Sequence, residues 1–364
     1  MVYMFLAFAV AAIVTLLIVH SAAQHAHLSS DHDMSGPQKF HSRPVPRVGG
    51  IGILAGVLAA LALLAWRQPP MAWALGKVLL CAAPTFLSGV VEDFTKNISP
   101  ARRLFFTAIS AGLAVWLQDC VIPHTGLVLF DWVFMIPLLA PAITVFAVVG
   151  ITNAVNIIDG FNGLASMCMV MMLLALGYVA VEVHDRLIAM SCVIIIGAIL
   201  GFFVWNFPTG MIFLGDGGAY FLGFILAVMA VLLIQRNPGV SPMFPLLVCI
   251  YPVFETIFSI YRKKLIRKMS PGVPDGVHLH MLVYKRLMRW TVGRSDARAL
   301  TRRNSMTSPY LWTLCITSVL PAVMLWDDTP MLCVFIGLFA LGYVGLYWRI
   351  VRFRVPRWLV ARRR

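Results

Sequence analysis

Asn153-Ala154-Val155-Asn156-Ile157-Ile158-Asp159-Gly160-Phe161-Asn162-Gly163 is a polar stretch set between two long apolar runs. A span needs about 20 apolar residues to cross roughly 30 Å of hydrocarbon. The flanking runs, 127–150 and 164–182, read as two membrane helices and the stretch as the loop joining them. Asn153, Asn156, Asp159 and Asn162 are spaced by three, so on helical turns their amides and carboxylate share one face. Gly160 and Gly163 free the backbone to turn or to approach a ligand closely. Such a group suits a hydrated divalent cation or a phosphate sugar. It equally fits a plain polar loop with an Asn-rich cap, and the other polar residues must decide.

The 364 residues are 60% apolar and only 12% charged, with mean hydropathy +0.86. Soluble proteins are roughly 45–50% apolar and about 25% charged. This chain is therefore an all-α integral membrane protein, one polytopic domain over 1–364. About eleven spans are expected, at 2–20, 49–66, 72–91, 104–118, 127–150, 164–182, 187–205, 218–235, 242–260, 308–326 and 331–348. The first lacks the basic flank of a signal peptide and reads as a retained span. The seven cysteines stand far apart, mostly in apolar runs and without C-x-x-C spacing, as small buried side chains do.

The net charge of +14 raises the question of nucleic acid, but its distribution excludes that partner. With eleven spans, one side of the membrane holds 21–48, 92–103, 151–163, 206–217, 261–307 and 349–364. These segments carry 25 of the 29 Lys and Arg residues. Cytoplasmic loops hold that excess, so the N-terminus is expected outside and the C-terminus inside. The large cytoplasmic loop 261–307 reads as partly helical and packed at the membrane surface. The basic cytoplasmic tail 349–364 reads as an anchor to anionic membrane lipid.

The polar clusters fall on that same inner side. His41-Ser42-Arg43-Pro44-Val45-Pro46-Arg47-Val48-Gly49-Gly50 is a proline-stiffened loop, contacting either substrate or only the bilayer, whose glycines allow close packing at the second span. Glu92 and Asp93 follow the third span, where the helix C-terminus disfavours acids. A metal, a proton or nearby Lys96 explains them better, and Arg102 and Arg103 suit an anionic head group. Asp216, in Gly215-Asp216-Gly217-Gly218, is the only charged residue between Arg186 and Arg236; it reads as a metal or phosphate ligand, or as part of a simple turn. Pro274-Asp275 leads to His278-Leu279-His280, where an extended backbone places both imidazoles on one side to meet phosphate oxygens. Too few neighbours exist for a zinc site. Glu255 either joins this face or pairs with Arg262 or Lys263.

Taken in order, these motifs resemble the polyprenyl-phosphate N-acetylhexosamine-1-phosphate transferases, the MraY/WecA-type family, over nearly the whole chain. The resemblance rests on Pro46-Arg-Val-Gly-Gly50, Glu92-Asp93 with Lys96, Asn153-x-x-Asn156-x-x-Asp159-Gly160, Gly215-Asp216-x-Gly218 and His278-x-His280. It implies transfer of a sugar-1-phosphate from a UDP-N-acetyl sugar to undecaprenyl phosphate with Mg²⁺ or Mn²⁺, releasing UMP. By that likeness Asp216 holds the metal, with Asp159 supporting the metal and pyrophosphate. Glu92 and Asp93 form the catalytic pair, Asp93 nearest the lipid phosphate. Lys96, Arg102 and Arg103 neutralise phosphates, His278 and His280 bind the nucleotide diphosphate, and Asn153, Asn156 and Asn162 contact substrate.

Three positions depart from the family pattern: Glu92 for the first Asp of the pair, Asn162 for a second Asp, and Met281 for a third His. They set the chain closer to enzymes that initiate O-antigen or other surface polysaccharides than to the peptidoglycan translocase. The implied setting is the bacterial inner membrane, with the active site facing the cytoplasm; the sugar stays open, as does oligomeric state, a homodimer included. In-line displacement at the β-phosphorus, with Asp93 orienting or deprotonating the acceptor, competes with an aspartyl-phosphate intermediate. The rival class is a cation- or proton-coupled transporter, which predicts acids near mid-span and on both sides.

Overall fold

The computed structural model describes residues 1–21, 45–269, 276–288 and 297–352. The loop motif from His41 to Pro44, Asp275 and the tail beyond 352 lie outside the described residues. No β-strand occurs among the described residues; within hydrocarbon a helix satisfies every backbone group internally. The principal helices are α1 (Val2–His20), α2 (Gly49–Arg67), α3 (Pro69–Thr95), α4 (Pro100–Gln118), α5 (Leu139–Ile158) and α6 (Leu164–Glu182). They continue with α7 (Arg186–Asn206), α8 (Gly215–Arg236), α9 (Met243–Val248), α10 (Ile250–Tyr261), α11 (Ala297–Met324) and α12 (Thr329–Val351). Eight of them, α1–α3, α5–α8 and α12, are long and apolar enough to cross a membrane.

Prolines account for much of the difference from expectation. The run expected as a span at 127–150 begins instead as Val128–Asp131 and a 3₁₀ turn, Trp132–Met135. Ile136 is extended, at φ −83° and ψ 116°, as a residue before proline prefers. The membrane helix therefore starts after Pro137 and runs on through Asn153 and Asn156. The run 242–260 is broken at Cys249. Pro252 lacks an N–H and crowds the carbonyl four residues earlier. Helix α11 starts at Ala297, so the long loop expected at 261–307 is shorter. Six of the cysteines are buried, and none is paired.

Helix α8 is the axis of the bundle, with α2, α3, α5 and α6 packed around it. Its entry is gripped by the strap before α2. Phe213 N donates to Pro46 O at 2.8 Å, while Gly49 N and Gly50 N donate to Phe213 O and Leu214 O at 3.0 and 2.9 Å. A Cβ at Gly50 would lie 2.5 Å from the Gly218 backbone, and one at Gly89 would lie 2.6 Å from Gly217. Three helix ends therefore meet backbone to backbone around the first turn of α8.

Helix α1 is held by a different set of small residues. Gly52 and Gly56 of α2 and Gly197 and Gly201 of α7 face Thr15, Ala7 O, Met4 O and Phe8 O. Without a hydrophobic drive between helices in lipid, this close approach is what associates them. Trp205 adds a hydrogen bond from its indole to Ala12 O at 3.0 Å. A methyl at Gly201 would collide with Phe8 O, whereas one at Gly76 meets nothing within 4 Å. Gly201→Ala is thus expected to destabilise by ~1–3 kcal/mol through overpacking. Gly76→Ala, gaining helix propensity, should be neutral or stabilising by ~0.5–1 kcal/mol. Thermal unfolding in detergent checks this; equal melting temperatures for the two variants would contradict the packing.

Candidate active site

Glu92 and Asp93 lie within the last turns of α3 rather than after it. Acids at a helix C-terminus meet the negative end of the macrodipole. The neighbouring helix offsets this for Asp93, whose Oδ1 accepts from Asp216 N at 2.8 Å and Oδ2 from Gly217 N at 2.9 Å. The buried carboxylate of one helix thereby caps the orphan amides of another. Glu92 Oε2 accepts from Ile98 N at 2.6 Å, closing the turn in which Lys96 adopts φ 54°. Gly215 has φ 78°, and a Cβ there would strike Arg47 O and come 2.6 Å from Asp93 Oδ2. Only glycine fits.

Asp216 projects from the first turn of α8, where the helix N-terminus favours an anion. Its Oδ2 accepts from Arg103 Nη1 at 2.5 Å, both side chains being 13% exposed. Its Oδ1 accepts from Asn156 Nδ2 at 2.7 Å. One turn on, Tyr220 lies 5.6 Å beneath the Arg103 guanidinium and donates its hydroxyl to Asn153 Oδ1 at 3.4 Å. The last two turns of α5 thus present Asn153 and Asn156 to α8. Asp159 ends α5 beside them. Burial raises its carboxyl to about 7; the Arg47 guanidinium opposes that shift and the charge of Asp216 adds to it.

The histidines approach from the other side of the Asp159–Gly160 turn. His278 is the N-cap of a short helix, Leu279–Leu282, and its ring stacks on His280 with centroids 5.3 Å apart and planes within 5°. A Cβ at Gly160 would lie 3.6 Å from Cδ2 and Nε2 of His280, and Phe161 packs edge-on against the same ring at 5.7 Å. His280 is fully buried, and neither ring nitrogen has a hydrogen-bond partner. Burial lowers its pKa to about 3, Glu255 opposing and His278 reinforcing, so it is neutral near pH 7. His278 Nδ1 meets Glu255 Oε1 at 2.9 Å.

Carboxylates, amides and one arginine gathered at a helix N-terminus, with an imidazole pair beyond the Asp159–Gly160 turn, are chemically suited to phosphate groups. The model of glycosyl transferase family 4 matches residues 75–234, the segment that builds most of it. The chain is 29% identical to a probable undecaprenyl-phosphate N-acetylglucosaminyl 1-phosphate transferase of Bacillus subtilis, over 77% of each chain. It is 27% identical to an undecaprenyl-phosphate alpha-N-acetylglucosaminyl 1-phosphate transferase of Thermotoga maritima, over 77% of this chain and 81% of the relative. A phospho-N-acetylmuramoyl-pentapeptide-transferase of Streptococcus agalactiae is 34% identical over a shorter stretch, 41% of this chain and 46% of the relative. Over residues 75–234 the chain is thus similar to glycosyl transferase family 4.

The family motifs read in the sequence converge, with instructive exceptions. Asp93, Arg103, Asn156 and Asp216 form one hydrogen-bonded group, which Asn153 joins through Tyr220 stacked on Arg103, with Asp159 at its edge. Glu92 shapes the adjoining turn, while Lys96 and Arg102 are exposed there. Asn162 corrects the shared-face expectation, because α5 stops at Ile158 and the chain turns. Asn162 is instead 3% exposed, its Nδ2 donating to Ser305 Oγ at 3.0 Å and its N donating to Asn304 Oδ1 at 2.8 Å. The extended His-x-His is also corrected, since Leu279 and His280 are helical and ring stacking aligns the imidazoles. Glu255 takes His278 as its partner. Tyr220 and Arg47 were not singled out as site residues. Tyr220 stands four residues after Asp216, a helical neighbour that periodicity reveals once α8 is known to start at Gly215.

Proposed function

We propose that this protein transfers an N-acetylhexosamine-1-phosphate, or a deoxy analogue, from a UDP-sugar to undecaprenyl phosphate. The products are undecaprenyl-diphospho-sugar and UMP, and the reaction initiates a surface polysaccharide such as O-antigen. The single observation carrying this reading is the convergence of Arg103, Asn156 and Asp216 at the N-terminus of α8, with the His278–His280 pair against the Gly160 turn that follows α5. The names of the relatives support the lipid acceptor and the sugar phosphate. The site faces the cytoplasmic leaflet of a bacterial inner membrane, in a chain of eleven spans with its N-terminus outside. A coupled transporter would instead need its acids distributed along the crossing path.

The lipid phosphate has a second pKa of about 6, so at neutral pH it is mostly dianionic and needs no strong base. Its oxygen attacks the β-phosphorus in line; a new P–O bond forms, the bond to the α–β bridging oxygen breaks, and UMP departs with that oxygen. Repulsion between two anions is the main obstacle, and cationic and dipolar groups relieve it. Arg103, Lys96 and Arg102 neutralise phosphate oxygens, and Asn153 and Asn156 orient them. His278 and His280 receive the nucleotide diphosphate. Asp93, with both oxygens engaged by α8, holds Asp216 in place, and this commitment favours direct displacement over an aspartyl-phosphate.

Mg²⁺ or Mn²⁺ fits here as an ion shared with substrate. Among the described residues no three acidic, imidazole or thiolate groups gather around one point. Mg²⁺ commonly uses one or two carboxylates, water and substrate phosphates, and Asp216 and Asp159 with the Asn156 amide supply suitable oxygens. When bound it would withdraw charge from the phosphates. Arg103 now occupies the carboxylate that would hold it. Arg103→Ala is therefore expected to tighten Mn²⁺ binding about 5-fold, or ~1 kcal/mol, as a part-buried ion pair is removed, while slowing UMP release. Calorimetric Mn²⁺ titration reads this, and unchanged or weaker binding would rule Asp216 out as the ligand. The function itself is tested by incubating purified protein with undecaprenyl phosphate and a panel of UDP-sugars. UMP release that depends on the lipid is expected, and none with any sugar would overturn it.

A further inference from the structure

Glu255 is a fully buried carboxylate on α10 whose role in the reaction is not accounted for by any motif above. Its Oε1 meets His278 Nδ1 at 2.9 Å and accepts from Leu279 N at 3.2 Å. Its Oε2 accepts from the Tyr343 hydroxyl of α12 at 2.7 Å. With both oxygens fixed from two directions, the carboxylate has no freedom to rotate. An ionised carboxylate only accepts, so His278 Nδ1 must carry the hydrogen. That leaves Nε2 as the nitrogen offered to a ligand.

We propose that Glu255, itself braced by Tyr343, is the positioning residue for His278. It orients the imidazole so that Nε2 faces the diphosphate of a bound nucleotide. Removing a buried carboxylate from an imidazole frees the ring to turn and leaves its Nδ1 without a partner. The stacked ring of His280 follows the orientation of His278. Glu255 thus acts through the imidazole pair without touching substrate. The proposal rests on the reading of His278 as a ligand of the donor diphosphate, and the test separates the two.

UDP affinity of the full-length protein in detergent is measured by calorimetry for wild type, Glu255→Gln, His278→Asn and the double variant. Glu255→Gln is expected to weaken UDP about 10-fold, but by less than about 2-fold in the His278→Asn background, since residues acting through one contact are not additive. Multiplying losses, or wild-type affinity in Glu255→Gln while His278→Asn is impaired, would overturn the positioning role. Wild-type affinity in His278→Asn would instead overturn the diphosphate reading beneath it. Should Glu255→Gln fail to fold, Tyr343→Phe loosens the same carboxylate. It is expected to weaken UDP about 2–3-fold, an effect absent beside His278→Asn. No weakening, or equal weakening in both backgrounds, would count against the proposal.

Discussion

Asp216→Asn is expected to lower the rate of UMP release by about 10²–10³-fold, the scale of losing one preorganised electrostatic contact at a reacting centre. The substitution is nearly isosteric and leaves the backbone N of residue 216 on Asp93, so α8 keeps its cap. Arg103 loses its counter-charge, which at a site 13% exposed removes ~1 kcal/mol at most. Activity and stability should therefore separate: the melting temperature moves by a few degrees while turnover nearly vanishes. Activity within 3-fold of wild type would sink the role of Asp216 and with it the metal assignment.

Asp93 should behave in the opposite way. Asp93→Ala removes the partner of two backbone N–H groups at the entry of α8. A lost cap is worth ~1–2 kcal/mol, and a buried donor left unpaired adds ~1–3 kcal/mol. Stability and turnover should fall together, because the turn carrying Asp216 is no longer held. Asp93→Asn keeps one acceptor and should lie between. Were Asp93 a base for the lipid phosphate, Asp93→Asn would melt normally and lose the acidic limb of its pH–rate profile. That outcome would overturn the positioning reading.

The sequence made the membrane class and the polar residues that gather at α8 legible because both are written locally. Apolar runs of span length and polar residues at helical spacing need no partner to be recognised. What it concealed depends on which element meets which. Asp93, at an unfavourable helix end, called for a metal, a proton or Lys96 as its partner until α8 supplied the amides that explain it. Asn162 kept the spacing of three but lost the face, since the helix ended four residues earlier and α11 claimed its side chain. Glu255 had nearby cations in Arg262 and Lys263, yet its partner lay 23 residues away. The broken spans were readable in principle: Pro137 and Pro252 mark them, but span-length hydropathy averages over both.

The seam that seats α1 also sets the timing of assembly. Trp205 reaches back 193 residues to Ala12, so α1 is synthesised well before one of its binding surfaces and must wait for it. At roughly 5–20 residues per second, that delay is ~10–40 s. Throughout it, α1 has to stay in the membrane with only part of its seat, the α2 side, in place, which its run from Val2 to Val19, free of any charged side chain, permits. Insertion and complete docking are thus separate events for this helix, since its seat is finished only when the glycines of α7 arrive.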